Sequence, residues 1–249
     1  MSIISTNGLC YRFSDGTKAL DNISLRFSEG EFTVIAGANG SGKTTLLRHF
    51  NGLLLPESGS VSVCGVPVKD DPSAARRQVG MVFQDADSQI IGDTVYDDVA
   101  FGPENLRLGH EEIRQRVVSS LAEVNLVGRE DKSPHSLSGG EKRRLAIAGV
   151  LAMAPRVLVM DEPFSNLDYP ATCTILDHLL TLHQRGHTII VTTHDLEKVI
   201  SCAGRLIVME NGRIVRDGKP EAVIEGIERY GIRPPCSIRY GQGIKPWAN

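Results

Sequence analysis

The sequence predicts an α/β fold with a mixed sheet, an antiparallel β subdomain and a mostly helical insertion. Three observations carry that expectation. Short apolar runs alternate with helix-like stretches along the chain. Two segments carry hairpin signals. A helix-dominated stretch, from about residue 85 to about 155, interrupts the strand-rich parts.

The elements follow in chain order. Phe32 to Ala36 (FTVIA) reads as a buried strand ending at Gly37, with a helix in TTLLRHFNGLL beyond it. Ser60 to Val68 reads as a hairpin bent at Cys64-Gly65, and Val79 to Phe83 as another buried strand. Glu111 to Val124 and Glu141 to Met153 are the helices of the insertion. Val157 to Met160 and Thr188 to Thr192 return to strand. Arg205 to Glu210 and Arg213 to Arg216 flank Asn211-Gly212, a dipeptide suited to a two-residue hairpin turn. A short helix over Pro220 to Arg229 precedes an irregular tail containing Pro234-Pro235 and Pro246. Residues 1–218 therefore read as one domain. Residues 219–249 read as a surface wrap or contact segment, with a loosely ordered terminus the equal alternative.

Composition narrows the function classes. The 249 residues carry a net charge of −3, which gives no general pull toward nucleic acid. Mean hydropathy is −0.10, and no run of 18 apolar residues occurs, so the chain is not expected to cross a membrane. The first residues lack the basic-then-apolar pattern of a secretion signal. The five cysteines are scattered and never in C-x-x-C spacing, which points to a reducing compartment rather than to disulfides or zinc.

Gly37-Ala38-Asn39-Gly40-Ser41-Gly42-Lys43-Thr44 matches G-x-x-x-x-G-K-[ST], after a strand and before a helix. Glycines let successive backbone N–H groups converge on phosphate oxygens, and the helix adds its positive end. Lys43 supplies a charge to the β and γ phosphates, and Thr44 a hydroxyl for Mg²⁺. By chance about one chain in a hundred of this length would carry the pattern, fewer with this strand and helix around it. The run from Gly37 to Thr45 is therefore assigned to nucleotide binding. No guanine-reading N-K-x-D motif occurs, which favours ATP.

The strand VLVM ends in Asp161-Glu162, at the sheet edge that carries the phosphate loop. Asp161 is placed to hold Mg²⁺ through water, as in the second motif of phosphate-loop enzymes, and Glu162 to polarise the attacking water. Alone, an acid pair there is equally a solvated loop start. His194, after TIIVTT, is placed to hold the γ-phosphate and orient the carboxylate and water. Alone, such a histidine is more often structural. Gln84 ends VGMVF, within reach of Mg²⁺ or the water, though a polar strand cap is its ordinary reading.

Leu137-Ser138-Gly139-Gly140-Glu141 caps a second helix, EKRRLAIAGVLAM, and makes another anion-binding helix start. With GANGSGKTT, Gln84, LSGGE, VLVMDEP, SNLD (Ser165 to Asp168) and His194 in this order, the chain resembles the nucleotide-binding subunits of ABC transporters over nearly its whole length. The resemblance implies a P-loop ATPase core working as a head-to-tail dimer. Each ATP then lies between one phosphate loop and the partner's LSGG segment. Ser138, Gly139 and Gly140 would bind the partner's nucleotide, and Asp168 would help join the two sites. Phe13, with Tyr11 the alternative, would stack on adenine, against a plain core-packing reading for either. Two departures stand out: Glu141 replaces the commoner Gln, placing an acid near the site, and Phe164 follows D-E-P where many members have Thr.

The D-x-Q after Gln84 and the phrase DVAFGP (Asp98 to Pro103) resemble the ATPase subunits of energy-coupling-factor importers and their cobalt- and nickel-type relatives. That branch implies a second ATPase subunit, identical or related, a transmembrane scaffold and a membrane protein that captures a vitamin or metal ion. It implies no nucleic-acid partner and a peripheral place on the cytoplasmic face of the cell membrane. The groove near Gln84 to Asp98 would receive a scaffold helix. Three rivals are weaker. A soluble mechanical ATPase acting on nucleic acid or ribosomes would carry a long coiled coil or two such domains. A small-molecule kinase needs neither LSGGE nor SNLD. An inactive binding module would not keep Lys43, Asp161, Glu162 and His194 together.

Overall fold

The computed structural model describes residues 2–247; residues 248 and 249, the end of the expected tail, lie outside them. Two long strands, β1 (Ser2–Arg12) and β2 (Lys18–Ser28), open the chain. β3 (Phe32–Ala36) leads through the phosphate loop into α1 (Lys43–Phe50). β4 (Ser58–Val63), β5 (Val66–Pro67), α2 (Pro72–Gln78) and β6 (Val79–Val82) follow. α3 (Val95–Asn105), α4 (His110–Glu123) and α5 (Gly139–Ala152) form the helical insertion before β7 (Val157–Asp161). α6 (Tyr169–Gln184), β8 (Thr188–Thr193), β9 (Arg205–Glu210) and β10 (Arg213–Gly218) close the sheet, and α7 (Pro220–Val223) and α8 (Cys236–Arg239) belong to the tail.

The main sheet has the order β10-β9-β3-β8-β7-β6, parallel except for the β9–β10 hairpin. An antiparallel sheet, β2-β1-β4-β5, covers one of its faces. The alternation of side chains along each strand divides the core in two. Val34, Leu158 and Met160 face the helices of the insertion and α6. Ile35, Val159 and Ile190 face α1 and the antiparallel sheet, where Phe27 packs edge-on against Phe50. Both faces of the parallel strands are therefore dry, which is why they read as unbroken apolar runs.

Parallel register brings the carboxyl ends together. Ala36 pairs with Thr193, and Asp161 with Thr192. The phosphate loop, the acid pair and His194 thus leave one edge of one sheet, the place where ligands bind in such folds. The hairpin turns carry the positive φ they require: Asn211 and Gly212 at 49° and 74°, Cys64 and Gly65 at 50° and 81°. Gly212 has a second constraint, because a Cβ there would lie 2.6 Å from the Ala19 carbonyl oxygen.

Some boundaries move. The strand expected to Phe83 stops at Val82, since the Phe83 amide donates to Gln89 Oε1 instead of the ladder. The helix expected over Pro220 to Arg229 breaks after Val223: Gly226 takes φ 66°, and Ile227–Tyr230 form a separate 3-10 turn. The tail is not merely a surface wrap. Ile227 and Ile232 are fully buried in the same core as Leu196 and Val199. No helix among the described residues is long and apolar enough to cross a membrane.

Candidate functional site

The phosphate loop is built around crowded backbone. A Cβ on Gly37 would meet Ser41 Oγ at 2.4 Å and the Met209 carbonyl at 2.5 Å, so only glycine fits. Gly42, at φ 101°, lies where a Cβ would come 2.6 Å from the Ala19 carbonyl. Lys43, at the first turn of α1, folds back to donate to the carbonyls of Gly37 (2.7 Å) and Ala38 (3.2 Å). Its ammonium is buried and lies 3.6 Å from Glu162 Oε1. Burial pulls the Lys43 pKa below its ordinary value, while the charges of Glu162 and Asp161 oppose that pull.

The acid pair has two different environments. Asp161 accepts from Thr44 Oγ1 and Thr192 Oγ1, both at 2.6 Å, so each carboxylate oxygen is held by a hydroxyl. Glu162 takes φ 47°, a conformation that costs a non-glycine residue energy and marks functional turns. Its amide donates to the Thr192 carbonyl at 3.1 Å, and its carbonyl accepts from Ser165. Glu162 Oε1 is buried without an aligned hydrogen bond, although His194 Nδ1 stands 3.0 Å away. Ser41 Oγ is also buried and without a partner. A carboxylate acceptor and a hydroxyl donor both without hydrogen-bond partners, beside a buried ammonium, make a site prepared for a phosphate and a water.

A cleft of about 450 Å³ opens over these groups, in the size range of small-ligand sites. It is lined by the loop from Asn39 to Thr45, by Gln84, Asp161 and Glu162, and by Phe13 with Thr17 to Ala19. Phe13 lies at its rim, 39% exposed. Tyr11 does not line it: its ring packs between Phe13 and His49, at 5.3 and 4.9 Å. Gln84 lines the cleft, but its side-chain amide has no hydrogen-bond partner among the described residues. Its carbonyl accepts from Arg143, as does that of Phe83, both at 2.5 Å. His194 borders a neighbouring cavity with Glu162, Ser165 and Asn166.

The LSGG segment is not brought into that cleft. Gly139 lines a separate hollow with Gln84, Ser165 and Asn166. Ser138 and Glu141 form a capping box: the Glu141 amide donates to Ser138 Oγ (3.3 Å), and the Ser138 amide to Glu141 Oε2 (2.9 Å). The Ser138 amide bond is the largest of the causes that hold the Glu141 pKa low, and Arg129 adds to it from 3.4 Å. Glu141 therefore closes its own helix. Asp168 likewise caps α6 through the Ala171 amide.

The sequence reading gives Thr192 and Arg143 no part in the site. Thr192 is just the last but one residue of an apolar strand, and nothing in TIIVTT marks its hydroxyl as the second holder of Asp161. Mg²⁺ fits the donors present: oxygen atoms from one carboxylate and one hydroxyl, as expected for a hard cation that keeps most of its waters. No group of three or more His, Cys, Asp or Glu side chains among the described residues would cage a metal by protein ligands alone.

A glycine loop between a parallel strand and a helix, facing an acid-ended strand, defines a phosphate-loop nucleoside triphosphatase. The chain belongs to the ABC transporter family, whose sequence model matches residues 20–165, and it is an ABC-type ATPase. It is 45% identical to the energy-coupling factor transporter ATP-binding protein EcfA of Methanocaldococcus jannaschii, over 94% of this chain and 86% of that one. Its fold matches cbiO1 from Clostridium perfringens, described as part of the ABC transporter complex cbiONQ. The two share 40% identity and a TM-score of 0.82, over 92% of each chain. It also matches a dimeric bacterial ABC transporter cassette at 30% identity and a TM-score of 0.77, over 87% of this chain and 98% of that one.

Proposed function

We propose that this chain is the ATP-hydrolysing subunit of an energy-coupling-factor type importer. It acts peripherally on the cytoplasmic face of the membrane, in a dimer with an identical or related ATPase subunit. The observation that carries the proposal is the Lys43–Glu162–His194 group beside Asp161, in a chain similar to EcfA over most of its length.

In this reading Lys43 leaves the carbonyls of Gly37 and Ala38 for the β and γ phosphates, and the loop amides and Ser41 Oγ bind the remaining oxygens. Thr44 Oγ1 and Asp161 would hold Mg²⁺, which would supply neutralisation of phosphate charge. Glu162 Oε1 takes a hydrogen bond from the attacking water, and His194 holds the carboxylate in line. Phe13 stacks on the base. Ser138, Gly139 and Gly140 close on the nucleotide of the partner subunit, which explains why they stand outside this chain's own cleft. Asp168, at the head of α6, lies on the way to the second site.

The scaffold partner would dock in the hollow between β6, α3 and α5. Exposed Leu53, Ile91 and Phe101 line it, beside Arg76 and buried Asp98. Gentle purification of the tagged chain from solubilised native membranes, followed by mass spectrometry, tests the proposal. A multi-span scaffold and a small capture protein are expected. Recovery of ribosomes or DNA instead would contradict it.

A further inference from the structure

The chain after β10 reaches back to the phosphate loop, to the loop after β8 and to the head of α6. A Cβ on Gly231 would touch that of Ala38, in the phosphate loop, at 3.8 Å. Arg233 forms a parallel bridge with Asp195, the residue after His194. The Cys236 amide donates to Glu197 Oε2 at 2.7 Å, part-buried and across 39 residues of sequence. Trp247 packs its ring 5.0 Å from that of Tyr169, the first residue of α6 after the SNLD segment.

The segment carrying His194 receives two of these contacts. β8 ends at Thr193, and His194 itself is half-exposed. Local bonds tie Asp195 to Thr193 and Glu197 to Asp195, at 2.9 and 3.1 Å. Fully buried Leu196 and Val199 root the loop in the core, and Lys198 Nζ donates to the Phe164 carbonyl at 3.4 Å. The contacts from Arg233 and Cys236 connect the loop to a second segment, anchored by fully buried Ile232.

We infer that residues 231–236 form a strut that positions His194 for hydrolysis, with Glu197 as the positioning residue that receives it. The inference rests on the proposed reading of Glu162 and His194. The strut fixes the loop at Asp195 and Glu197, on the far side of His194 from β8. The imidazole is thereby held over the carboxylate, 3.0 Å from Oε1. Loss of the carboxylate acceptor at Glu197 removes the strut's hold on the loop, which keeps its buried Leu196 and Val199, without touching the nucleotide-binding loop.

Steady-state hydrolysis by the full chain tests this with Glu197→Ala, Glu197→Gln, His194→Ala and the Glu197→Ala/His194→Ala double variant. Loss of one charge-assisted hydrogen bond should lower kcat about tenfold in Glu197→Ala. KM for ATP should stay at its wild-type value, while Tm falls by no more than a few degrees. Glu197→Gln keeps a carbonyl acceptor for the Cys236 amide and should recover most of kcat. In the His194→Ala background, Glu197→Ala should add less than about a twofold loss, because the two residues act in series. If His194→Ala alone keeps wild-type kcat, the reading of the site fails and the strut falls with it. If His194→Ala is slow while Glu197→Ala is not, or if the two losses multiply, the strut alone is overturned.

Discussion

Replacing Thr44 by Val removes one hydroxyl and almost no volume. In the structure that hydroxyl donates to Asp161 Oδ2 at 2.6 Å, inside a site where Asp161 is 3% exposed. The substitution leaves Asp161 with Thr192 as its single hydroxyl partner. A hydrogen bond to a buried charge contributes about 1.5–3 kcal/mol, so the nucleotide-free protein should lose about that much stability. Urea denaturation measures it as a lower midpoint at unchanged slope. The same hydroxyl is assigned to Mg²⁺, so a second effect is expected. Wild-type affinity for ATP should fall when EDTA replaces Mg²⁺, whereas Thr44→Val should bind weakly in both conditions. Thr44→Ser restores the hydroxyl and should restore both properties. Wild-type affinity for Mg-ATP in Thr44→Val, or an unchanged denaturation midpoint, would refute the reasoning.

Three further outcomes are expected. Glu141→Ala should cost about 1 kcal/mol of stability by opening the capping box, while Glu141→Gln, which keeps the reach-back bond, should cost little; thermal denaturation separates the two. The Glu141 pKa is lowered in the fold, so its share of stability is full above the ordinary carboxylate value and is lost as pH falls below that value, through the lower folded one. Fully buried His49 is held neutral by desolvation, its Nδ1 2.7 Å from the Thr45 carbonyl and its Nε2 without a partner. Below about pH 6.5 the unfolded chain takes up a proton that the folded chain resists, so stability should drop by up to ~1.4 kcal/mol per pH unit. Denaturation midpoints between pH 8 and 5 measure that slope, and His49→Met should flatten it. Phe13→Ala should weaken ATP binding about tenfold, the worth of a base–aromatic stack, and titration calorimetry reads the loss.

The chemistry of the site was legible where it depends on spacing along the chain. The phosphate loop, the acid-ended strand and His194 follow apolar runs, and buried parallel strands announce themselves by such runs. What stayed hidden depends on contacts across the fold. Nothing local marks Thr192 as the second holder of Asp161, nor Arg143 as the clasp on the carbonyls of Phe83 and Gln84. A second role of Glu141 was readable as well: Ser138-x-x-Glu141 is itself a capping-box pattern, and the structure forms that pairing. The tail misled through its prolines and glycines. They break helical periodicity at Gly226 while single residues such as Ile227 and Ile232 still reach the core.

The central claim is that Glu162 performs hydrolysis in a site completed by a second subunit. Glu162→Gln keeps shape and removes the charge 3.6 Å from the Lys43 ammonium. Turnover and light scattering of this variant, with and without Mg-ATP, test the claim directly. The account predicts a kcat lower by about 10²–10⁴, intact ATP binding and a particle of twice the monomer mass only when ATP is present. Wild-type turnover would contradict it, as would an unchanged mass at saturating ATP both for the chain alone and for its mixture with the related ATPase subunit.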